Sequence, residues 1–266
     1  MRATKKIFLT GASSGIGRAT AEALLAAGHE GWGTSRDVSR VPAMANMHAV
    51  RLDLQDRTSV RDAFATALHD SGGLDVVINN AGSGHFGPAE SLSAELLEDQ
   101  FQMLVFAHIE LCRLAFDAMK QRDHGLIINV TSLASRLPVP FMAAYNAAKA
   151  AMASYTMSLQ LELADERIRI VDLQPGDIAT SFNDALPKED YVDARVAQAW
   201  KVVDHNMKQA PKPELVARRI LELIDDPNPP PRVTVGDAFQ AAVAPFIDRL
   251  LPQRVRLWGL KRYYGI

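Results

Sequence analysis

The sequence is poor in cysteine and has no marked excess of either charge. Its 266 residues include one cysteine, Cys112, and the formal net charge is −2. A single thiol forms no internal disulfide, which is typical of a reducing compartment, and a near-neutral chain argues against nucleic-acid binding. We therefore expect a cytoplasmic protein that binds no nucleic acid, with Cys112 as a small buried side chain.

Long apolar runs and metal-ligand patterns are missing as well. No stretch of about 18 uninterrupted apolar residues occurs, and no apolar leader precedes the first strand, so neither a membrane span nor a signal peptide is predicted. The seven histidines lack metal-ligand spacing, and we predict no metal site. The chain, 48% apolar and 23% charged, has no linker or repeat, which predicts one globular domain over residues 1–266.

Short apolar runs alternate with longer helical runs along the chain, which predicts an α/β fold. Strands are predicted at residues 7–10, 30–35, 47–52, 74–78, 126–130, 168–173 and within 229–235. Helices are predicted up to residue 27 and at 57–69, 94–121, 144–163, 214–224 and 239–251, the last interrupted at Pro245.

A glycine-rich segment, Gly11-Ala-Ser-Ser-Gly15-Ile-Gly17, separates the first strand from the first helix. Strand, glycine loop and helix form the setting of a dinucleotide fingerprint, because glycines let the backbone approach a pyrophosphate and the helix N-terminus offers free N–H groups. The spacing is G-x-x-x-G-x-G, and a simple glycine turn closing the strand–helix unit is the alternative.

The end of the second strand is expected to meet the ribose next to adenine. An acidic residue there favours NAD, whereas a guanidinium binds the 2′-phosphate of NADP. Asp37 could be that acid, but we take Ser35 as the strand end and Arg36 as the phosphate ligand. We therefore predict NADP(H) in preference to NAD(H); the alternative for Arg36 is a solvated loop charge.

Small and amide residues, Asn79-Asn80-Ala81-Gly82, follow the fourth strand directly. They belong at the carboxyl end of the sheet, where ligands collect in open α/β folds. Asn80 could instead pin two strands together through backbone hydrogen bonds, and we expect it to do some of both.

Ser132, Tyr145 and Lys149 are the candidates for catalysis. Tyr145 and Lys149 are four apart in an alanine-rich helical segment, so they share one face. An adjacent ammonium favours the phenolate, so we expect the pKa of Tyr145 to fall from roughly 10 toward neutral, which suits an acid/base. Ser132 follows a buried strand and could hold a carbonyl oxygen. For the Tyr–Lys pair alone, a chance surface pair is the alternative.

Three further segments carry predictions about assembly and substrate access. The helices at 94–121 and 144–163 are apolar on more than one face, which predicts a homodimer or homotetramer through them. Residues 177–210 are predicted to form a substrate-binding lid, and residues 236–266 a variable extension. The tail from residue 254 mixes basic and aromatic side chains; we expect it to cap a pocket or a subunit contact rather than to touch a membrane.

The motifs T-G-A-S-S-G-I-G at 10–17, N-N-A-G at 79–82, Y-N-A-A-K at 145–149 and P-G at 175–176 occur together with Ser132. In their order and spacing the chain resembles the short-chain dehydrogenase/reductase family over nearly its whole length. The resemblance implies a Rossmann-type doubly wound parallel sheet of about seven strands, order 3-2-1-4-5-6-7, in a three-layer α/β/α sandwich. It also implies hydride transfer between a nicotinamide cofactor and a carbonyl/alcohol pair.

The resemblance also implies roles for single residues. Tyr145 would exchange the proton, Lys149 would lower its pKa and hold the nicotinamide ribose, and Ser132 would position the substrate oxygen. The residues implied to bind the cofactor are Gly11, Ser13, Ser14, Gly15, Ile16, Gly17, Arg36, Asp53, Leu54, Asn80, Ala81, Gly82, Tyr145, Lys149, Pro175, Gly176, Ile178 and Thr180. Among them, Asp53 would lie by the adenine, Asn80 by its ribose and Thr180 by the carboxamide, while Arg36 matches the basic residue of NADP-preferring members.

One position departs from the family's pattern. Where members usually have an asparagine in N-V-F-G, this chain has Leu104-Val-Phe-Ala107. The asparagine supports a water that links the lysine to solvent, and leucine cannot hydrogen-bond. Either a backbone carbonyl keeps the water, or the proton relay takes another route, or turnover is slow.

The C-terminal third loosely resembles members that act on steroids, retinoids and other lipophilic substrates. The candidate pocket residues flank the catalytic stretches, and each could equally be packing: His85, Phe86, Phe141, Met142 and Phe182. The leading hypothesis is an NADP(H)-dependent reductase or dehydrogenase for an apolar small molecule. The alternative is an NADP(H)-binding sensor with little turnover, and an epimerase or dehydratase would need acid/base groups that we do not identify.

Overall fold

The computed structural model describes residues 3–163, 167–182 and 193–266. Seven parallel strands form its sheet in the order β3-β2-β1-β4-β5-β6-β7, as predicted. The strands are β1 (Lys6–Leu9), β2 (Glu30–Ser35), β3 (Met47–Arg51), β4 (Val76–Asn79), β5 (Gly125–Val130), β6 (Ile168–Pro175) and β7 (Arg232–Val235). Leu9 pairs with Gly33 of β2 and with Ile78 of β4, so the carboxyl ends of these strands are level. The direction of winding reverses between β1 and β4, which is where open sheets bind ligands.

Helices cover both faces of the sheet and complete three layers. They are α1 (Gly15–Ala26), α2 (Arg57–Ser71), α3 (Ala94–Phe101), α4 (Ala107–Lys120), α5 (Ala143–Glu162), α6 (Ala194–Gln209), α7 (Glu214–Asp225), α8 (Ala244–Leu250) and α9 (Gln253–Tyr264). Alternate strand residues serve opposite cores: Ile7 and Leu9 pack with α1 and α7, and Phe8 packs with α2 and α4.

A π-helical turn, Gln102–Phe106, divides the helix that was predicted at 94–121. The amide of Ala107 bonds to the carbonyl of Gln102, five residues back. Leu104 is buried while Phe106 stays half exposed, so the turn rotates the start of α4 relative to α3. The long helical run predicted at 94–121 is therefore present from Ala94 to Lys120, but its apolar pattern does not show the one-residue shift in hydrogen bonding of the π-helical turn.

The lid predicted at about 177–210 is described only in part, since residues 183–192 lie outside the described residues. Its second half is the regular helix α6, capped by the Asp193 side chain, which accepts a hydrogen bond from the amide of Arg195. Val196 and Ala199 bury this helix against Phe86 and Met142. The helix α6 thus belongs to the packed body of the protein.

The segment after β7 forms a π-helical turn, Phe239–Val243, followed by α8 and α9. Pro245 lies in the first turn of α8, directly after the π-helical turn. The helix α9 contacts α6 and buries Tyr264. None of the described helices combines the length and the apolar character that a bilayer-spanning helix needs.

Candidate active site

A cavity of about 1100 Å³ opens at the carboxyl edge of the sheet. Its wall includes every residue that was predicted to bind the cofactor or to carry the chemistry, from the glycine loop after β1 to Thr180 after β6. The parallel strands deliver these residues to one place because their carboxyl ends share an edge. The described residues contain no cluster of three or more His, Cys, Asp or Glu side chains that could hold a metal ion.

The glycine loop fits a pyrophosphate because it leaves backbone exposed to the cavity. Gly11 has a φ of +73°, and a Cβ on Gly17 would collide with the Gly11 carbonyl and lie 2.6 Å from Asn80 Nδ2. Ser14, the N-cap residue of α1, makes no side-chain capping bond, so the first N–H groups of α1 stay available to an anion.

Asn80 holds the ends of β1 and β4 together. Its Nδ2 donates to the carbonyl of Thr10 at 2.9 Å, and its backbone N–H donates to Thr10 Oγ1 at 2.8 Å. Asn80 also lies on the cavity wall. The strand-pinning alternative raised from the sequence is therefore present in the structure, at a residue that still faces the ligand space.

Arg36 and Arg40 line the part of the cavity beyond β2. Asp37 lies between them, but its Oδ1 accepts hydrogen bonds from the amide of Ser39 at 3.0 Å and the hydroxyl of Ser39 at 2.7 Å. These bonds to Ser39 lower the pKa of Asp37. Arg36 makes no ion pair with any described residue. Arg40 has no motif around it, and the sequence did not identify it as a candidate.

Tyr145 and Ser132 meet inside the cavity. Ser132 caps a short 3₁₀ turn, its hydroxyl oxygen accepting from the amide of Ala134 at 3.1 Å. Burial raises the pKa of Tyr145 to about 12, although a hydrogen bond with Ser132 opposes the shift. The expectation of a pKa near neutral is therefore wrong for the protein itself, because burial outweighs the neighbouring groups.

Lys149 is directed toward the backbone rather than toward the phenol oxygen. Its Nζ donates to the carbonyl of Val130 at 2.8 Å and lies 5.8 Å from the centre of the Tyr145 ring. Burial lowers the pKa of Lys149 to about 8, and the nearby charge of Asp172 opposes this shift. The helical spacing placed the two side chains on one face correctly, but it could not show what the ammonium binds.

Leu104 fills the space beside Lys149. A Cβ added to Gly82 would lie 2.6 Å from Leu104 Cδ2 and 4.0 Å from Lys149 Nζ, so the leucine methyl and the ammonium flank the same glycine. One turn further along, His108 is buried, and its Nε2 has no hydrogen-bond partner among the described residues. This polar group next to the departure from the family's pattern was missed, because nothing in the local sequence marks a buried histidine.

The pocket predictions divide into two groups. Met142 and Phe182 line the cavity, with the Phe182 ring 5.6 Å from that of Tyr145. His85 and Phe141 do not line it. Phe141 packs on Phe86, with ring centres 6.0 Å apart, because the chain turns there with a φ of 63°. His85 is buried, and neither ring nitrogen has a hydrogen-bond partner among the described residues.

The far wall of the cavity comes from parts of the chain that carry no motif. Gln240 and Asp177 form two mutual bonds: the amide of Asp177 donates to Gln240 Oε1 at 2.8 Å, and Gln240 Nε2 donates to Asp177 Oδ2 at 2.6 Å. Asn206 of α6 donates to the hydroxyl of Tyr263 in α9 at 2.8 Å. The aromatic tail was the one sequence signal for this wall, as a segment expected to cap a pocket.

The amino-acid sequence is similar to those of known proteins. The family described as short chain dehydrogenase matches residues 5–190. A 3-ketodihydrosphingosine reductase from Bacteroides thetaiotaomicron is 31% identical over 267 residues, which cover 98% of this chain and 98% of that protein. An NADPH-dependent 1-acyldihydroxyacetone phosphate reductase from Schizosaccharomyces pombe is 34% identical over 186 residues, 68% of this chain and 62% of that one.

A solved structure agrees over the same extent. A short-chain dehydrogenase from Streptomyces avermitilis superimposes with a TM-score of 0.84 at 27% identity, covering 98% of this chain and 97% of that one. The sheet order, the glycine loop before α1 and the tyrosine and lysine one turn apart are thus accompanied by similarity along the whole chain. On these grounds the chain belongs to the short-chain dehydrogenase family.

Proposed function

We propose that this protein is an NADP(H)-dependent oxidoreductase that interconverts a ketone and a secondary alcohol on a lipophilic substrate. The observation that carries the proposal is the presence of Ser132, Tyr145 and Lys149 in one cavity with the glycine loop of α1. Oxidoreductase chemistry is common to the family; the cofactor preference, substrate class and residue roles below are our proposal.

Ser132 and Tyr145 would act together on the substrate oxygen. The Ser132 hydroxyl holds the carbonyl oxygen, and the Tyr145 hydroxyl gives its proton to that oxygen as the carbonyl carbon is reduced. A bound nicotinamide supplies the hydride. A pKa of about 12 for Tyr145 means that the phenol is protonated at neutral pH, which is the form that ketone reduction requires.

Lys149 would hold a ribose hydroxyl and place positive charge beside the phenol when its proton is lost. Its buried ammonium has three N–H donors, and one of them donates to the carbonyl of Val130. Two donors are therefore left for groups in the cavity. Gly82 lies beside the ammonium in the cavity wall, since a Cβ on this glycine would be 4.0 Å from Lys149 Nζ.

The preference for NADP(H) is supported by the charges beyond β2. Arg36 and Arg40 face the cavity, and the one acid between them is occupied with Ser39. Guanidinium groups favour a 2′-phosphate through charge-assisted bonds. The relative from Schizosaccharomyces pombe, by its name, uses NADPH.

A lipophilic substrate is supported by the wall opposite the glycine loop. The apolar side chains there are Leu137, Val139, Met142, Phe182, Val203, Ile247 and Leu251. The relative that matches over 98% of both chains is named for reduction of 3-ketodihydrosphingosine. We propose a long-chain keto lipid of that kind as the substrate class.

The test of the chemistry removes the phenol oxygen of Tyr145. Oxidation of NADPH is followed with 3-ketodihydrosphingosine and a panel of other ketones, in the wild type and in Tyr145→Phe. We expect the variant to lose activity by roughly 10²-fold or more while NADPH still binds. Tyr155→Phe, ten residues along the same helix and outside the cavity, is the matched control. Wild-type rates in Tyr145→Phe would overturn the assigned chemistry.

The cofactor preference has a separate test. Arg36→Ala should raise the KM for NADPH by roughly tenfold or more and leave that for NADH nearly unchanged, since only NADPH carries the 2′-phosphate. Arg57→Ala, exposed and outside the cavity, is the control. Equal changes for both cofactors would show that Arg36 is not the selector.

A second function is favoured by the apolar side chain at Leu104. A protein that binds NADP(H) with little turnover would need no proton relay, and Leu104 puts a methyl group where a relay water would be held. This reading predicts NADPH binding in fluorescence titrations, no oxidation with any ketone and no effect of Tyr145→Phe on that baseline.

A further inference from the structure

The C-terminal segment 239–264, which we name the roof, has an inner and an outer face. The inner face closes the cavity with Phe239, Gln240, Ile247, Leu251, Tyr263 and Tyr264. The outer side chains of α8 and α9 are absent from the cavity wall. The roof is thus a thin cover with the ligand space on one side and solvent on the other.

The outer face of the roof is unusually apolar. Among the described residues, ten of the sixteen exposed large apolar side chains lie between residues 239 and 263, and five of these ten are absent from the cavity wall: Val243, Phe246, Leu250, Leu257 and Trp258. Phe246 is 65% exposed, Leu250 69% and Trp258 65%. Exposed apolar side chains grouped on one segment in this way are typical of a contact site.

The outer face of α9 interleaves these apolar groups with cations. Arg254, Leu257, Trp258 and Lys261 follow the i, i+3, i+4, i+7 spacing of one helical face, and all four are exposed. Residues 244–266 carry five basic residues and one acidic residue, a charge of +4 within a chain of net charge −2. The rest of the chain therefore carries −6, so the net charge of this segment is opposite in sign to that of the remainder.

We propose that the outer face of the roof docks on the surface of a bilayer that contains anionic phospholipid. Trp258 and Leu257 would enter the interface between headgroups and acyl chains, while Arg254 and Lys261 would bind lipid phosphates. Short helices with Trp and Leu between basic residues lie in the plane of such an interface. The roof, which closes the cavity, would then lie between the membrane and the ligand space.

A second copy of the chain is the other occupant that an apolar face could take. A symmetric contact through α9 would bring Arg254 and Lys261 of one copy close to the same residues of the other, because the same patch meets itself in a twofold dimer. Like charges at close range disfavour that contact. An anionic bilayer matches the apolar groups and the positive charge at once.

The first experiment measures flotation of the full chain with vesicles, without substrate or cofactor. We expect wild-type protein to float with phosphatidylcholine vesicles containing about 30% phosphatidylserine, and to float less with phosphatidylcholine alone or at raised salt. Arg254→Glu and Lys261→Glu should each weaken the partition coefficient by about fivefold or more. Leu250→Ser combined with Trp258→Ser should abolish flotation, whereas Met44→Ser, exposed outside the roof and outside the predicted subunit interface, should leave it unchanged.

Tryptophan fluorescence gives an independent readout of the same contact. Trp32 is buried and Trp200 is not exposed, so Trp258 is the indole that vesicles could reach. We expect a blue shift on adding the anionic vesicles, and its loss in Trp258→Phe although that variant still floats. NADPH binding in each variant checks that the fold is intact.

Two results would overturn the proposal. One is a wild type that does not float with anionic vesicles at low salt, or a Leu250→Ser/Trp258→Ser variant that floats equally well. The other is a change in molecular mass in that variant without vesicles, measured by light scattering, which would assign the face to a second copy. Because binding is read without turnover, these outcomes are independent of the proposed enzyme activity.

Discussion

His108, in the first turn of α4, is a buried neutral imidazole close enough to Lys149 to feel its charge. Burial first, and then the charge of Lys149, lower the pKa of His108 to about 3, while a hydrogen bond with the backbone of Leu104 opposes the shift. In the unfolded chain the pKa of a histidine is about 6.5. Between these two values the unfolded chain binds a proton that the folded chain does not. The stability that depends on neutral His108 is therefore complete above about pH 6.5 and is lost as the pH falls toward 3.

This linkage predicts that the stability of the protein falls in acid and that replacing His108 reduces this fall. Between about pH 7 and about pH 5, His108 should lower the free energy of unfolding by about 2 kcal/mol. The measurement is urea unfolding at both pH values for the wild type, for His108→Leu and for the exposed control His69→Leu. A His108→Leu variant as acid-sensitive as the wild type would contradict the prediction.

Leu104 offers a second prediction at the scale of one side chain. Leu104→Asn places an amide beside Lys149 and Gly82, where it can hold a water near the ammonium. If proton delivery limits turnover, kcat for ketone reduction should rise several-fold, up to about tenfold. Leu104→Ala opens the same space without adding a polar group and serves as the control. An equal kcat in the two variants would show that the amide itself does nothing.

Sequence reasoning succeeded at single residues where a motif is local and failed where the surroundings decide. Tyr145, Lys149 and the glycine loop were identified because their spacing along one helix or loop specifies their geometry. The direction of the pKa shift of Tyr145 was wrong, because its burial depends on α6, Phe182 and Ile266, which pack near it only in the folded chain. His85 and Phe141 were placed in the pocket by proximity in sequence, which does not give the direction of a side chain.

Among the elements, the roof is attached to the cofactor side of the cavity by one residue of its π-helical turn. Gln240 makes two bonds with Asp177, and its Oε1 lies against Gly176, where no Cβ would fit. Burial raises the pKa of Asp177, with the Gln240 bond opposing. These bonds therefore link the roof to the loop after β6.

Gln240→Ala should separate the roof from the loop after β6. Loss of both bonds should lower the free energy of unfolding by about 1–3 kcal/mol and raise the KM for substrate and NADPH several-fold, with a smaller effect on kcat. Limited proteolysis should cut the variant within 239–264 faster than the wild type. Gln253→Ala, exposed at the start of α9, is the matched control. Unchanged proteolysis and KM would show that the roof is held by its apolar contacts alone.

At the scale of the whole molecule, the predicted assembly through residues 94–121 and 144–163 stays a prediction. Met157 and Leu161 of α5 and Phe106 of the π-helical turn are exposed on this side. We expect Met157→Glu combined with Leu161→Glu to reduce the mass in light scattering from an oligomer to a monomer, because buried carboxylates oppose an apolar interface. Met44→Glu, exposed elsewhere, is the control. A wild type that is already monomeric would exclude this interface.

The sheet order followed from the family's motifs, because each motif marks the end of a particular strand. The roof did not, since its residues, about a hundred positions from Tyr145, reach the cavity through the packing of α9 on α6 and the bonds between Gln240 and Asp177. Composition showed an aromatic and basic tail, but which side chains face the cavity and which face outward depends on the register of α9. That register decides where Trp258 and Tyr263 point.

The sole cysteine of the chain has a practical consequence. Cys112 is buried, and burial raises the pKa of its thiol to about 12, although hydrogen bonds with Asn129 and Asn79 oppose the shift. Such a thiol reacts slowly with maleimides, which attack exposed thiolates. A cysteine introduced at Leu250 would therefore react selectively with a spin label or a fluorophore. The helix α8 could then be followed in real time without first replacing Cys112.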